Sequence, residues 1–324
     1  MTLRIIDRET VARLLTYEAA IPLMREAMIA LSAGRTRQLL RQVIALGEGA
    51  MFGVMPGAGE QTFGAKLISV FPGNFARGLQ SHQGGVLLFD PSSGAPVAML
   101  HAGEITAIRT AAASAAATDA LARADASVLA VLGYGEQALT HARAIGRVRS
   151  IRRIRVWGRH ADRAETLARK LAAELGVAAS AAGSAADAVE DADIVSTVSA
   201  SAEPILFSRD VRDGAHVNLV GASTAAFREA DDALVARGRL FADHREGVLR
   251  QGGEVLHAVA AGLIGEDHVL GEIGEVMAGD KPGRVGPADV TIYKSLGAIV
   301  QDLAAGWFVY RRAVEQGLGT VASF

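Results

Sequence analysis

The glycines Gly133 and Gly135, in VLGYGEQA, follow the apolar run Val128 to Leu132 and precede a helix-like pattern of Ala, Leu and His. Strand, tight turn and helix start coincide there, which is the setting a dinucleotide-binding turn requires. Gly133 would permit the turn, Gly135 would let backbone approach a pyrophosphate, and Ala138 in the third place would allow close helix packing. The helix start, with Glu136 and Gln137 in its first turn, would offer free N–H groups and positive potential to phosphates. A glycine-permitted turn that holds no ligand is the competing reading. The next strand, RIRVWG, ends near Trp157 with no acid to bind a ribose 2′-hydroxyl; Arg159, His160 and Arg163 follow instead. Arginine there suits the 2′-phosphate of NADP(H), so NADP(H) is favoured and NAD(H) is the alternative, with a solvated basic helix start as the bland explanation.

A hydride carrier needs a reacting partner, and three cations are candidates: Arg41 in RQVIAL, Lys66 in GAKLISV and Arg109 in HAGEITAIRTAAASA. Arginine donates two parallel hydrogen bonds to a carboxylate, and a buried lysine can exchange a proton. Taken singly, each is an ordinary surface or paired charge, and spacing does not assemble them.

The elements that must position these residues fall into two patterns. LRII followed by Asp7 reads as a strand and helix cap, and TYEAAIPLMREAMIALSAG as an amphipathic helix capped by Thr16, bent by Pro22 and ended by Gly34. Residues 41–89 show short β-like runs separated by Pro and Gly turns, which predicts a mainly antiparallel sheet. After an alanine-rich helix over about 104–122, strand and helix patterns alternate, which predicts a doubly wound parallel sheet. Position between strands favours a short strand and helix for the alanine-rich AASAAGSAADA. The last helix is expected over 295–316. The fold class is therefore α/β: a Rossmann-type unit over 116–296, and an α+β unit over 1–115 to which 297–324 returns.

Composition narrows the function. The chain has 324 residues, 50% hydrophobic and 21% charged, a formal net charge of −2 and no cysteine. Cysteine chemistry and disulfides are excluded, and nothing asks for nucleic acid or an acidic membrane surface. No uncharged apolar stretch reaches the roughly 18 residues of a membrane helix, and Met1 to Arg13 lacks a signal-peptide core, so a cytoplasmic protein is expected. His244, Glu246, Glu254 and His257 do not have helical zinc spacing, so no metal is expected. The serines around residue 199 lack a nucleophile elbow, and residues 280–284 read as a charged turn.

The segments RQVIALGEGAMFGVMPG, GAKLISVFPGN, SHQGGVLLFDPSSGAPVAMLHAGEITAIRTAAASA, LGYGEQA, NLVGAS and EIGEVMAGDKPGRV…VTIYKSLG resemble, in order, the ornithine cyclodeaminase/μ-crystallin family. The resemblance implies a homodimer with an N-terminal substrate and dimerisation unit and a Rossmann unit. It makes Arg41, Lys66 and Arg109 the substrate-site cations, the arginines on a carboxylate and Lys66 facing the reacting carbon. Met55 and Gln83 would line the pocket, with His82 beside them either structural or catalytic. Thr110 would contact cofactor phosphate, Thr197 and Val198 would lie near the adenosine or ribose, and Gly221 marks the turn after NLV. Lys294, Ser295 and Leu296 would close over the nicotinamide side. Ornithine cyclodeaminases carry an aspartate where this chain has Ser223. A serine hydroxyl is neutral near pH 7 and cannot balance an ammonium or act as a ready base. That points to simple hydride transfer to a 2-imino or 2-amino acid. Ornithine cyclodeamination and a low-turnover, crystallin-like ligand-binding role are the alternatives. Arg35 and Arg37 could reach a second carboxylate, or simply lie on a solvated loop.

Overall fold

The computed structural model describes residues 2–324, with backbone alone for Phe75 and Ala76. The chain divides into two compact units: the residues up to Arg109 together with Ala298–Phe324, and Thr110–Gly297. The sequence places the first boundary at 115. The division between Arg109 and Thr110 and position 115 lie in the same unbroken helix, Ala102–Leu121, with no glycine or proline between them.

The first unit is built on β1 (Thr2–Ile6), β2 (Arg37–Gln38), β3 (Gln42–Gly47), β4 (Ala50–Ala58), β5 (Phe63–Val70), β6 (His82–Phe89) and β7 (Pro96–His101). The hydrogen-bonded order is the C-terminal strand Thr320–Ser323, then β1, β7, β6, β5, β4 and β2, with β3 also on β4. β1 runs parallel to β7, and the remaining pairs are antiparallel. Alternation decides what each strand presents. In β5, Lys66 and Ile68 are buried while Leu67 faces out. The helix Ile299–Glu315 packs on Tyr17–Ser32 and on β4, β5 and β6, and buries Val300, Leu303 and Val309. Gly57 lets this helix approach β4, because a Cβ there would lie 2.6 Å from Ile299 Cγ2.

The last helix starts at Ile299 rather than 295. The N–H groups of Leu296 and Gly297 donate to Asp243 Oδ2 at 2.7 and 2.6 Å, and Gly297 has φ +85°, so this backbone is held outside helical geometry. Asp7 caps Arg8–Leu14 through the Thr10 N–H. Thr16 occupies the cap position of Tyr17–Ser32, but no side-chain cap bond forms there, and the helix continues through Pro22.

The second unit is a parallel sheet of β8 (Val128–Leu132), β9 (Arg153–Trp157), β10 (Ala178–Ala181), β11 (Ile194–Thr197), β12 (His216–Leu219), β13 (Arg239–Ala242), β14 (Val269–Glu272) and β15 (Thr291–Lys294). Its order is β10-β9-β8-β11-β12-β15-β13-β14. The strand order reverses between β8 and β11, and in open sheets of this kind ligands bind outside the carboxyl ends of the strands at such a point. Residues 178–189 form the strand β10 and the helix Ala185–Val189, capped by Ser184. The core joins Ala130, Leu132, Val195, Val217, Leu219, Leu240 and Ile292.

Two buried histidines of this unit are neutral. Burial pushes His141 down to about 4 and His216 down to about 3. Folded-state values below the ordinary histidine range mean that the unfolded chain binds protons first as pH falls. Their contribution to stability is therefore full above about pH 6.5 and lost as pH drops towards the folded values. Urea unfolding should show stability declining from about pH 7 to about pH 5, and H141Q should decline less steeply over that window. Equal slopes would contradict a buried neutral His141.

Candidate active site

Lys66 projects from β5 towards the last helix, on the face shared with Met55 of β4 and Val86 of β6, its cross-strand neighbours. Its Nζ donates to Asp302 Oδ1 at 3.0 Å and to Thr106 Oγ1 at 2.6 Å. Arg109 Nε donates to the same Asp302 oxygen at 3.2 Å, and its Nη1 donates to Gln301 Oε1 at 2.7 Å. Asp302 is fully buried and Lys66 and Arg109 nearly so. Burial pushes Asp302 up, but the charges of Arg109 and Lys66 outweigh it and hold the carboxyl below its usual range. Burial lowers Lys66 to about 8, with Asp302 opposing and Arg109 and Arg41 reinforcing the fall. Arg41, half-buried just before β3, is thus electrostatically felt at the cluster.

His82 belongs to this environment. Burial of the ring and the like charges of Lys66, Arg41 and Arg109 push it down to about 4, although the residue keeps exposed surface, and Nδ1 lies 2.9 Å from Ser81 Oγ. Gln83 does not belong with it. The β5–β6 register pairs Lys66 with Val86 and Ser69 with Gln83, so Gln83 lies on the opposite face, where its Nε2 donates to Gln80 O at 3.3 Å. The pocket-lining role expected for Gln83 is therefore corrected. Arg35, a candidate for a second carboxylate, pairs with Glu60 at 2.8 Å.

In the second unit, the turn after β8 has the geometry its residues suggest. Gly133 has φ +137°, and a Cβ there would lie 2.7 Å from Val198 O; a Cβ on Gly135 would meet nothing within 4 Å. Ala138 is completely buried. The helix Glu136–Ile145 has no side-chain cap, which leaves its N-terminal end to a ligand. His141 pins this helix: its Nδ1 donates to Gln137 O at 2.7 Å, and its Nε2 accepts from Ser114 Oγ at 3.0 Å. Because a carbonyl can only accept, the proton sits on Nδ1. At the end of β9, Trp157 packs on the core while Arg159, His160 and Arg163 are exposed. The Tyr134 ring covers Gly158, where a Cβ would lie 2.2 Å from Tyr134 Cδ1, and the Arg163 guanidinium sits 5.9 Å from the ring centroid.

The strand ends opposite are tied by buried charges that sequence reasoning missed. Glu229 accepts from Ser199 N, Ser199 Oγ, Thr197 Oγ1, Gly221 N and Ala222 N at 2.7–3.2 Å. Burial pushes its pKa up against those hydroxyl donors. Glu254 accepts from Glu229 N and pairs with Lys294 at 2.7 Å; Lys294 also donates to Ala222 O at 2.6 Å. The side chains of Thr197 and Lys294 hold these loops in place, at the strand ends where the sequence expects the cofactor to lie. Ser223 lies on the turn so held, while Thr110 is buried in the helix Ala102–Leu121. Ser295 Oγ and Thr224 Oγ1 are buried without a partner among the described residues. With the open Gly135 and the uncapped helix, these orphaned hydroxyls fit a bound dinucleotide.

A glycine-turn parallel sheet, and a separate sheet carrying buried cations on one aspartate, define the class: a dinucleotide-dependent oxidoreductase fold. The chain belongs to the ornithine cyclodeaminase/mu-crystallin family, whose model matches residues 3–317. Ketimine reductase mu-crystallin of Mus musculus is 39% identical over 280 residues, 86% of this chain and 85% of that protein. Iminosuccinate reductase of Paracoccus denitrificans (strain Pd 1222) is 37% identical over 319 residues, 97% of this chain and 98% of that protein. The structure of Thermococcus litoralis Delta(1)-pyrroline-2-carboxylate reductase in complex with NADH and L-proline matches with a TM-score of 0.95 at 32% identity, covering 98% of this chain and 99% of that one.

The Glu254–Lys294 pair gives a stability prediction. K294M leaves a buried carboxylate unpaired and should lower the urea unfolding free energy by about 3–5 kcal/mol, whereas K294M/E254Q should recover a large part of it. A loss under about 1 kcal/mol for K294M would show that the pair holds nothing.

Proposed function

We propose that the protein is a nicotinamide-dependent oxidoreductase that moves a hydride between the cofactor and the α-carbon of a 2-imino or 2-amino acid. The observation that carries this reading is the surplus of positive charge around one buried carboxylate: Lys66 and Arg109 share Asp302 Oδ1, and Arg41 adds its field. Arg109 spends Nε and one Nη1 proton within the cluster, leaving the Nη2 edge among the described residues to grip a carboxylate. Arg41 supplies the second hold. Gripping the acid in this way fixes the α-carbon, which must come within about 3–3.5 Å of a hydride donor. The cofactor, when bound, supplies or accepts that hydride. Gly133, Gly135 and the uncapped helix would hold its pyrophosphate, and Ser295 offers a buried hydroxyl to it. Lys66, with its pKa brought to about 8, is suited to proton exchange with the substrate nitrogen near neutral pH.

NADP(H) is the preferred carrier in this reading, with Arg159 on the 2′-phosphate and Arg163 assisting. Ser223 speaks against ornithine cyclodeamination, because the turn carries no carboxylate at that place to handle a second amine. The active form is a homodimer. Val43, Ile44 and Leu46 of β3 and Met99 of β7 are exposed apolar residues of the kind an interface covers.

Absorbance of the reduced cofactor should fall when a panel of cyclic and linear 2-imino acids is offered with NADPH or NADH. No consumption with either cofactor across the panel would overturn the reading. R109M should cut kcat/KM for an accepted acid by about 100-fold or more. R159A should raise the KM for NADPH at least about tenfold and leave NADH nearly unchanged. Equal effects on both cofactors would remove the NADP assignment.

A further inference from the structure

The cluster in the first unit contains more than a carboxylate clamp. Asp302 and Gln301 open the last helix as a fully buried polar pair, and neither needs to touch a substrate. We propose, resting on the imino acid reading above, that Asp302 is a positioning residue: with Thr106 it anchors Lys66 so that a single direction of the amine faces the substrate nitrogen, and through that direction Lys66 gives or takes the reaction's proton.

Hydrogen-bond capacity fixes the direction of the Lys66 amine. Thr106 Oγ1 donates its own proton to Ala102 O at 2.6 Å, so towards Lys66 it can only accept. Asp302 Oδ1, shared with Arg109 Nε, is likewise an acceptor. A lysine ammonium has three donors, and two are committed to these anchors, which leaves one. A neutral lysine amine has two donors and one lone pair, and both donors can stay on the same anchors, which leaves the lone pair. The anchored amine thus turns from donor to acceptor in the same direction without moving. In reduction, the hydride joins the α-carbon, the C=N π electrons pass to nitrogen, and the Lys66 proton forms the new N–H bond, leaving Lys66 neutral. Oxidation returns the proton to the Lys66 lone pair as the hydride leaves.

The charged and titratable groups around Lys66 are Asp302 from the last helix, Arg109 from Ala102–Leu121, Arg41 ahead of β3 and His82 from β6. Three of them are like-charged or neutral, so Asp302 alone among these sustains the protonated form. His82, pushed down to about 4, holds no acidic proton near neutral pH. Removing the Asp302 charge should make Lys66 give up its proton at lower pH. The pH limb above which imine reduction fails should then move down with it, since the protonated form is the reductive one.

The chain has four lysines, so 13Cε-lysine NMR of the intact protein resolves Lys66. Its midpoint should lie near 8. D302N is a mild change: Asp302 Oδ2 has no partner among the described residues, so the amide nitrogen can sit there while the oxygen stays on Lys66 and Arg109. It should lower the Lys66 midpoint by about one unit or more and shift the falling limb of kcat/KM equally. T106V removes a neutral anchor. It should cut kcat while leaving the midpoint within about half a unit of wild type. Three results would overturn the proposal: Lys66 keeping its proton well above pH 8, D302N losing activity at every pH with no shift, or T106V moving the midpoint as far as D302N. If D302N does not fold, a wild-type midpoint near 8 with T106V beside it supports the assignment, and any drop above about one unit in T106V contradicts it. A titration that behaves as expected in a protein that reduces no imino acid would sink the hydride-transfer reading and leave the Asp302–Lys66 coupling standing.

Discussion

A single oxygen atom, Asp302 Oδ1, accepts from Lys66 on a strand and from Arg109 on a helix, and itself sits on the last helix of the chain. The first unit depends on that meeting. It explains why the C-terminal helix returns to the N-terminal sheet, why Gly57 must let that helix close in, and why a lysine occupies an inward position of β5. Burying three such charges is no route to stability, since desolvation costs several kcal/mol per ion and apolar replacements of similar volume are often as stable. A buried cluster with more cations than carboxylates makes sense when an anionic ligand completes it.

The second unit meets the problem of buried charge differently. Glu229 satisfies five donors from two strand ends, and Glu254 is matched by Lys294. Asp243 takes the N–H groups of His244, Leu296 and Gly297, so that the chain leaves β15 in a fixed non-helical path before the last helix begins. These groups are spent on backbone and on one another. What they leave at the strand ends is a shaped lining of N–H groups, small residues and hydroxyls without a partner among the described residues. Charge is used here to hold loops still, and in the first unit to gather two cations on one carboxylate. Lys294 and Lys66 illustrate the contrast, both buried lysines, one neutralised by its own glutamate and the other sharing an aspartate with an arginine.

How much of this was legible in the sequence depended on how local the cause is. The turn at Gly133 could be read directly, because its need for positive φ and close backbone approach lies within a few residues. The parallel sheet was legible from the alternation of apolar runs, and even the alanine-rich 178–189 resolved into strand and helix. Lys66, Arg41 and Arg109 could be named as candidate cations, but only the family resemblance joined them into one site. The partner that gives them meaning, Asp302, lies 236 residues from Lys66. One signal was available: Gln301 and Asp302 stand on the apolar face of an amphipathic helix, where an acid is out of place unless paired. Gln83 was misassigned because residue type says nothing of which sheet face a position occupies, and only the register does. The start of the last helix was misread because Asp243, 53 residues before Leu296 on another strand end, holds the N–H groups of Leu296 and Gly297.

The central claim is that the surplus cations of the first unit grip the carboxyl end of an amino acid. The most direct measurement is isothermal titration of the cofactor-saturated protein with a product amino acid and with the corresponding amine lacking the carboxylate. The account predicts heat and saturation with the amino acid and none with the amine over the same concentration range. Equal binding of the two would contradict it.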